Sequence, residues 1–284
     1  MNDHFLDILF ITHRRPKYTA KSLERLLNSC TKDTRVWVWH NGSDVSTLET
    51  VKSFLGHPNF HHLEVSKDNK KLREPTNWFW NNSDGGYVGK VDDDCLLPPD
   101  WINPLLAAHK NNQSLGAIGC WLFYDDDYLP AIASKKTKPL NGGGSVLSNC
   151  WVGGSGYIMK RKLVNELGPL KDNESFTDYC LRSSLLGWNH GWYFPFIHQE
   201  HMDDPRSTHC DIKTEEDFQS RKPLTAINFN IENLEEWKAR VKEEAATVQR
   251  ASPNPKHHTG WCKRMKNIIK RIKKMIGAKE PWQQ

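Results

Sequence analysis

The sequence predicts an α/β protein built on a mostly parallel β-sheet. Short apolar runs alternate with helix-compatible segments along the N-terminal part of the chain, a pattern typical of β-α-β units. The first two of these runs end in polar turns, as expected where a strand leaves a sheet. With 284 residues, the chain can hold one large domain with appendages or two small domains.

The predicted elements of the N-terminal part follow one another in the order that such a sheet requires. The first strand covers residues 6–12 and ends in a polar turn at residues 13–16, and the first helix covers residues 18–28. Further strands are predicted over residues 36–39, 61–65 and 87–91, and further helices over residues 45–54 and 76–80. Ligands of open α/β sheets bind at the carboxyl ends of strands, so the polar groups after the first, second and fourth strands should converge there.

The C-terminal part contains more helix and more turns. Residues 149–159 form a glycine-rich turn that enters an apolar strand, without the spacing of a usual phosphate-binding loop. A helix begins near residue 174, with Thr177 or Ser175 as its N-cap, and residues 193–197 form a strand. Residues 233–250 form a charged helix, and the proline-containing segment 251–255 is a hinge. We therefore divide the chain into residues 1–215, a helical extension at 216–255, and a tail at 256–284.

Composition excludes several classes of protein. The sequence has no apolar stretch of the roughly 18 residues that a membrane-spanning helix needs. Its first residues lack the basic and apolar regions of a secretory signal, and its seven cysteines are scattered singly, which predicts reduced thiols in the cytoplasm. Residues 256–284 contain nine Lys or Arg and one acid, so of the net charge of +5 the tail carries +8 and the rest carries −3. Basicity confined to the tail argues against a nucleic-acid partner.

Three consecutive aspartates, Asp92, Asp93 and Asp94, directly follow the fourth predicted strand. Adjacent like charges stay together only in water or around a cation, and carboxylate oxygens suit Mg²⁺ or Mn²⁺, which often also hold substrate phosphates. A second triplet occupies residues 125–127, and a solvated acidic loop is the alternative interpretation of either triplet. The first triplet is favoured as the metal site because it lies where ligands of the sheet are expected, whereas the second follows a later strand.

The order and spacing of four segments resemble the family 2 glycosyltransferases with the GT-A fold, of the type that builds bacterial surface polysaccharides. The similarity extends over roughly residues 5–205 and covers an opening strand and turn (10–16), a nucleotide segment (39–44), a DxD motif (91–94) and an acidic helix (178–182, followed by Gly187 and Trp188). Residues 1–215 would then be the catalytic domain. The sequence departs from the family pattern at His40, where an acid is frequent, at Arg14, which replaces a frequent Asn, and at Ser175-Phe176, which replaces an acidic pair.

The resemblance implies roles for the matching residues. Contacts to a nucleotide-sugar donor are expected from Thr12, Arg15, Asn41, Asn69, Arg73, Asn77, Asp92 and Asp93. A Mn²⁺ or Mg²⁺ cofactor is expected on Asp94 and Asp92, with His201 as a further metal ligand or phosphate contact. Gly153, Gly154 and Ser155 are the expected acceptor-side loop, while Trp151 is either a face on which a sugar stacks or a core residue.

The same resemblance implies an inverting transfer of a sugar to an acceptor hydroxyl. The expected general base is Asp178, with Glu174 as the alternative. A divalent ion offsets the charge that builds on the leaving phosphate. Two other classes also use clustered acids or the same fold, namely a nucleotidyltransferase and a non-catalytic protein that binds sugars or membranes. The first would need a glycine-rich, basic segment near the first strand, which this chain lacks.

Apolar residues of the tail recur at helical spacing, and they are Trp261, Met265, Ile268, Ile269, Ile272, Met275 and Ile276. Lys and Arg occupy most of the remaining positions between residues 261 and 276. A basic amphipathic helix of this kind binds in an anionic membrane interface, or it docks on a protein. We expect a cytoplasmic protein that is peripheral on the inner face of the membrane and acts on a glycan or lipid-linked acceptor.

Overall fold

The computed structural model describes residues 2–261 together with residues 265 and 268. The chain forms two compact units. The first unit contains the residues up to Leu122 and Thr137–Gln199, and the second contains Phe123–Lys136 and the residues from Glu200 onward. The domain boundaries at residues 215 and 255 stay predictions.

Strands and helices largely alternate up to Gly119 in the first unit, and the later elements belong to both units. The strands are β1 (Asn2–Thr12), β2 (Thr34–Asn41), β3 (Phe60–Ser66), β4 (Gly85–Asp92), β5 (Cys95–Leu96), β6 (Leu115–Gly119), β7 (Thr137–Pro139), β8 (Ser145–Asn149), β9 (Tyr157–Lys160), β10 (Asn189–Phe194) and β11 (Glu200–His201). The helices are α1 (Pro16–Ser29), α2 (Val45–Lys52), α3 (Arg73–Asn82), α4 (Ile102–Asn111), α5 (Pro130–Ala133), α6 (Arg161–Leu167), α7 (Phe176–Ser184), α8 (Glu215–Ser220), α9 (Leu224–Asn228) and α10 (Leu234–Arg250).

Nine of the described strands form one mixed sheet in the first unit. Their order is β3-β2-β1-β4-β9-β6-β10-β8-β7. The pairings β1–β2, β1–β4, β2–β3 and β6–β10 are parallel, whereas β4–β9, β6–β9, β8–β10 and β7–β8 are antiparallel. The four strands that precede the first aspartate triplet are therefore mutually parallel, as the alternation in the sequence predicts, and their carboxyl ends meet at one edge.

Both faces of this sheet are covered, which explains why its central strands are apolar without strict alternation. On one face, Ile8 and Phe10 of β1 belong to a buried cluster with Leu23 of α1 and Leu105 of α4. On the opposite face, Leu9 and Ile11 of β1 pack in a second cluster. Its helical members include Phe79 and Trp80 of α3, Leu163 of α6 and Tyr179 of α7.

Most element boundaries differ from the predicted ones by a few residues. Helix α1 starts at Pro16 instead of residue 18, because the fixed φ of proline suits the first turn of a helix. Strand β10 lies at Asn189–Phe194 instead of residues 193–197, and Pro195 ends it because proline has no N–H for further pairing. Ser175 is the N-cap of α7, its hydroxyl accepting the N–H of Asp178, as predicted for one of two candidates.

The second unit has its own packed core and its own buried ion pairs. Phe218 of α8 and Trp237 of α10 belong to one hydrophobic cluster. Arg206 donates to both carboxylate oxygens of Asp127 at 2.8 Å and also binds Asp204. The second triplet of the sequence is thus a short 3₁₀ turn whose last aspartate is a structural anchor.

The six described cysteines are free, in agreement with the predicted reduced thiols. Among the described residues, no helix combines the length and the apolar character needed to cross a membrane. Most of the predicted tail helix lies outside the described residues. Trp261 and Ile268, which are described and helical, are 72% and 47% exposed.

Candidate active site

The carboxyl ends of β1, β2 and β4 lie side by side, so predicted donor residues on these strands are neighbours. Thr12 of β1 is opposite His40 of β2, and Ile11 is opposite Asp92 of β4. The Thr12 hydroxyl lies 3.1 Å from Nδ1 of His40. Burial lowers the pKa of His40, so its ring is neutral at pH 7. This edge of the sheet therefore carries the hydroxyl, the imidazole and the first carboxylate side by side.

Asp93 is the buried member of the triplet and anchors it to helix α1. Its carboxylate accepts from Arg15 at 3.1 Å, from the His13 N–H at 3.2 Å and from the Thr19 hydroxyl at 3.4 Å. Burial raises the pKa of Asp93 to about 7, although the positive charge of Arg15 acts in the opposite direction. Asp93 therefore fixes the loop after β4 and is enclosed by protein on all sides.

Asp94 is more exposed than Asp93 and shares the same arginine. Oδ2 of Asp94 lies 3.0 Å from the Arg15 guanidinium, and Oδ1 accepts a weak hydrogen bond from the Cys95 thiol at 3.3 Å. Arg14 and Arg15 both have left-handed backbone conformations, with φ of 57° and 61°. Such a conformation costs free energy in a residue other than glycine and persists where surrounding contacts enforce it. For Arg15, the two carboxylates that bind its side chain contribute such contacts.

Asp92 faces the glycine-rich loop. The Lys90 ammonium binds the Asp92 carboxylate and also donates to the Gly154 carbonyl at 2.9 Å. The Asp92 N–H donates to the Ser155 hydroxyl at 2.9 Å. The predicted donor carboxylate and the predicted acceptor loop of Gly153, Gly154 and Ser155 are thus in direct contact.

Two of the predicted donor residues shape the loop after β3. The Asn41 side chain accepts the Lys70 N–H at 2.6 Å and donates to the Lys71 carbonyl at 2.9 Å. Asn69 accepts the Lys71 N–H at 2.8 Å. These contacts hold the loop that carries Lys70 and Lys71 beside the ends of β2 and β3.

Arg73 and Asn77 point to a different loop from the one that Asn41 holds. Arg73 forms an ion pair with Asp172 at 2.5 Å. Asn77 donates to the Leu170 carbonyl and accepts the Leu170 N–H, both at 2.9 Å. Both side chains therefore brace residues 170–172, and their donor-binding role stays a prediction.

The two candidate bases on and before α7 have different surroundings. Asp178 is exposed in the first turn of α7 and accepts the Ser175 hydroxyl at 2.7 Å. Glu174 binds Arg182 through two contacts, at 2.7 and 2.8 Å. Burial acts to raise the pKa of Glu174, but hydrogen bonds from Arg182 and the Lys171 N–H hold it below its usual value. Asp178 is the more accessible carboxylate, whereas Glu174 is committed to an internal ion pair.

Trp151 and His201 complete the set of predicted site residues. Trp151 is partly buried and packs against the core cluster that contains Tyr157 and Tyr179. His201 belongs to the second unit, where its Nδ1 accepts the Asp203 N–H at 3.3 Å. A metal-ligand role for His201 and a stacking role for Trp151 stay predictions.

Sequence reasoning missed three residues that support the triplet. Lys90 binds Asp92, Ser22 of α1 donates to the backbone carbonyls of Asp92 and Cys95, and the His13 N–H binds Asp93. Only Lys90 left a signal in the sequence, because a lysine two residues before Asp92 in an apolar strand must point to the same side as that carboxylate.

Comparisons with known proteins identify the family of this chain and solved structures with a similar fold. Residues 7–167 match the family model described as Glycosyl transferase family 2. A curated chondroitin synthase from Escherichia coli is 27% identical over 103 residues. That match covers 36% of this chain and only 15% of the chondroitin synthase.

Several solved structures have a similar fold. The mannosyltransferase PcManGT from Pyrobaculum calidifontis, in complex with GDP-Man and Mn²⁺, aligns over 99% of this chain and 82% of its own, with a TM-score of 0.58 and 14% identity. TarS 1-349 from S. aureus aligns over 96% of this chain and 78% of its own, with a TM-score of 0.56 and 16% identity. At these identities the similarity concerns the fold, and it confirms the predicted GT-A fold.

Proposed function

The chain belongs to glycosyl transferase family 2, and from that premise we propose that it transfers a sugar from a nucleotide-sugar to an acceptor hydroxyl with inversion. The observation that carries the proposal is the aspartate triplet at the end of β4. Arg15 and Lys90 hold its carboxylates at the edge of the sheet where the polar ends of β1 and β2 also lie. In a sheet of this type, that edge is where ligands bind.

The donor would occupy the edge formed by β1, β2 and β4. Thr12 and Asn41 would contact the nucleoside, and the basic segment that Asn41 and Asn69 hold would attract the diphosphate. Structures of similar fold contain GDP-Man in the mannosyltransferase and UDP-GlcNAc in TarS. These complexes support a nucleotide-sugar as the donor class.

The donor atoms of the triplet fit a hard divalent ion. Carboxylate oxygens are the ligands that Mn²⁺ and Mg²⁺ prefer. Asp94 is partly exposed, and with Asp92 it would hold the ion, while Asp93 is enclosed and acts as the anchor. When bound, such an ion supplies charge that offsets the negative charge of the leaving diphosphate.

Asp178 would act as the general base. Its carboxylate is exposed, and the Ser175 hydroxyl fixes its orientation at 2.7 Å. Phe176 of the same helix stacks on Tyr157 with ring centroids 4.2 Å apart, and Tyr157 is in register with Lys90 of β4. This packing secures α7 beside the strand that delivers the triplet. Asp178 would take the proton of the acceptor hydroxyl as that oxygen attacks the anomeric carbon from the face opposite the leaving phosphate.

The acceptor is proposed to be a glycan or a lipid-linked chain at an anionic membrane surface. The sequence of residues 261–276 predicts a helix with one apolar side and many Lys and Arg. Trp261 and Ile268, at positions of the predicted apolar side, are exposed. Anionic lipid contributes about 1 kcal/mol for each basic residue near the surface, which favours a membrane over a neutral protein surface.

The proposal is tested by incubating the protein with a panel of nucleotide-sugars and Mn²⁺ while measuring nucleoside diphosphate release. At least one donor should be consumed faster than in an otherwise identical reaction with the Asp94→Ala variant. Equal release by the two proteins with every donor would refute the proposal.

A further inference from the structure

We propose that Lys90 is a positioning residue that joins the donor side of the site to the acceptor-side loop. The inference rests on the proposed sugar transfer, in which Lys90 itself has no chemical role. It concerns a buried cation on β4 that contacts Asp92 and Gly154 together.

Lys90 lies inside the protein, where a charge needs a partner. The Lys90 side chain is 6% exposed and the Asp92 side chain is 26% exposed. An unpaired ammonium group at such a position would be costly, so the contact with Asp92 is strongly favoured once the strand is in place. Residues two apart in a strand point to the same face of the sheet. The side chains of Lys90 and Asp92 therefore lie on the same face of β4.

The second contact of Lys90 extends this pairing to the glycine-rich loop. Its ammonium donates to the Gly154 carbonyl at 2.9 Å, and the Lys90 carbonyl accepts the Gly156 N–H at 2.8 Å. The Asp92 N–H donates to the Ser155 hydroxyl at 2.9 Å. Three consecutive loop residues are therefore held by Lys90 and Asp92.

Two basic residues bind different members of the triplet. Arg15 binds Asp93 and Asp94 and belongs to the start of α1, whereas Lys90 binds Asp92 and reaches the loop. Each positive charge thus attaches part of the triplet to a different element. The Lys90 side chain links the Asp92 carboxylate itself to the Gly154 carbonyl, and small displacements of reacting groups lower rates strongly.

The test compares full-length Lys90→Met with wild type and with Lys160→Met. Lys160 is a suitable control because it is also a strand lysine that donates to two carbonyls, those of Asn112 and Gln113, at 2.6 and 2.8 Å. Hydrogen exchange is measured for the amides of residues 153–156, and hydrolysis of the donor found in the panel is measured in parallel. Should Lys90→Met not fold, Lys90→Gln keeps a hydrogen-bond donor on a shorter stem and gives the same comparison.

In Lys90→Met we expect the loop amides to exchange about tenfold faster and hydrolysis to be about tenfold slower, while Lys160→Met resembles wild type. If Lys90 acts through Asp92, adding Lys90→Met to Asp92→Asn should change hydrolysis by less than about threefold. Unchanged loop exchange, or rate effects that multiply in the double variant, would overturn the inference. Absence of hydrolysis in wild type would instead refute the proposed function, and the exchange measurement would still decide whether Lys90 holds the loop.

Discussion

Oδ2 of Asp94 lies 3.0 Å from the guanidinium of Arg15, which also binds the buried Asp93 at 3.1 Å. One cation thus controls the orientation of two neighbouring carboxylates that would otherwise repel each other. Because Arg15 has a left-handed backbone and directly precedes α1, the same contact couples the turn after β1 to the loop after β4.

Arg15→Ala should lower the rate of nucleotide-sugar turnover about 10²-fold, because Asp93 and Asp94 lose the charge that orients them. The rate constants are measured at saturating Mn²⁺. Arg14→Ala is the matched control, since Arg14 shares the left-handed conformation of its neighbour. Equal losses in the two variants would show that the turn matters and the ion pair does not.

Asp94→Ala should lower divalent-dependent transfer by a factor on the order of 10²–10³ while the protein stays folded, because Asp94 provides charge at the site and does not pack in the core. Asp126→Ala, in the second triplet, should have little effect. The two variants are compared by transfer rate and by melting temperature. Similar losses of activity at both positions would mean that the wrong triplet has been chosen.

Asp178→Asn should retain binding of the nucleoside diphosphate and lose transfer, because the amide keeps the shape of the side chain and cannot take the proton. Binding is measured by calorimetry and transfer by product formation. Glu174→Gln should act mainly on stability, since it breaks the ion pair with Arg182. An active Asp178→Asn together with an inactive Glu174→Gln would move the base to Glu174.

His190 should make the protein less stable as the pH falls. Its Nδ1 accepts the Ala117 N–H at 3.0 Å, and burial lowers its pKa from 6.5 to about 3. Between these pH values the unfolded chain binds a proton that the folded chain does not. The free energy of unfolding therefore decreases as the pH falls, by up to about 1.4 kcal/mol per pH unit. His190→Asn should be less stable at pH 7 but should lose less stability between pH 6.5 and 5.

The stability measurement for His190 is a series of melting curves between pH 5 and 7.5. His62→Asn serves as the control, because the His62 side chain is 41% exposed. If the melting temperature of His190→Asn depends on pH as steeply as that of wild type, His190 is not the source of the loss of stability at low pH.

Trp261→Glu should abolish sedimentation with anionic phosphatidylglycerol vesicles at low salt, because it places a carboxylate in the proposed apolar face. Trp261 is 72% exposed, so the substitution leaves the core intact. Nucleotide-sugar hydrolysis should be unchanged. Neutral phosphatidylcholine vesicles are the control, and failure of the wild-type protein to bind anionic vesicles would direct the search to a protein partner.

The sequence was sufficient for those features that depend on neighbouring residues. The alternation of strands and helices and the position of the first triplet at the end of β4 were predictable from it, and Ser175 was one of the two candidate caps of α7. The reason is that strand and helix periodicity, turn residues and caps act over a few positions along the chain.

Only the tertiary structure decided which polar groups meet. Arg15 is 78 positions from Asp93, Lys90 is 64 from Gly154, and Asn77 is 93 from Leu170. Such pairs depend on which strands are adjacent and on how each loop is closed, and neither follows from local pattern. The sequence therefore supplied the candidate acids, whereas the fold determined that Asp93 is enclosed and that Asp94 beside it is partly exposed.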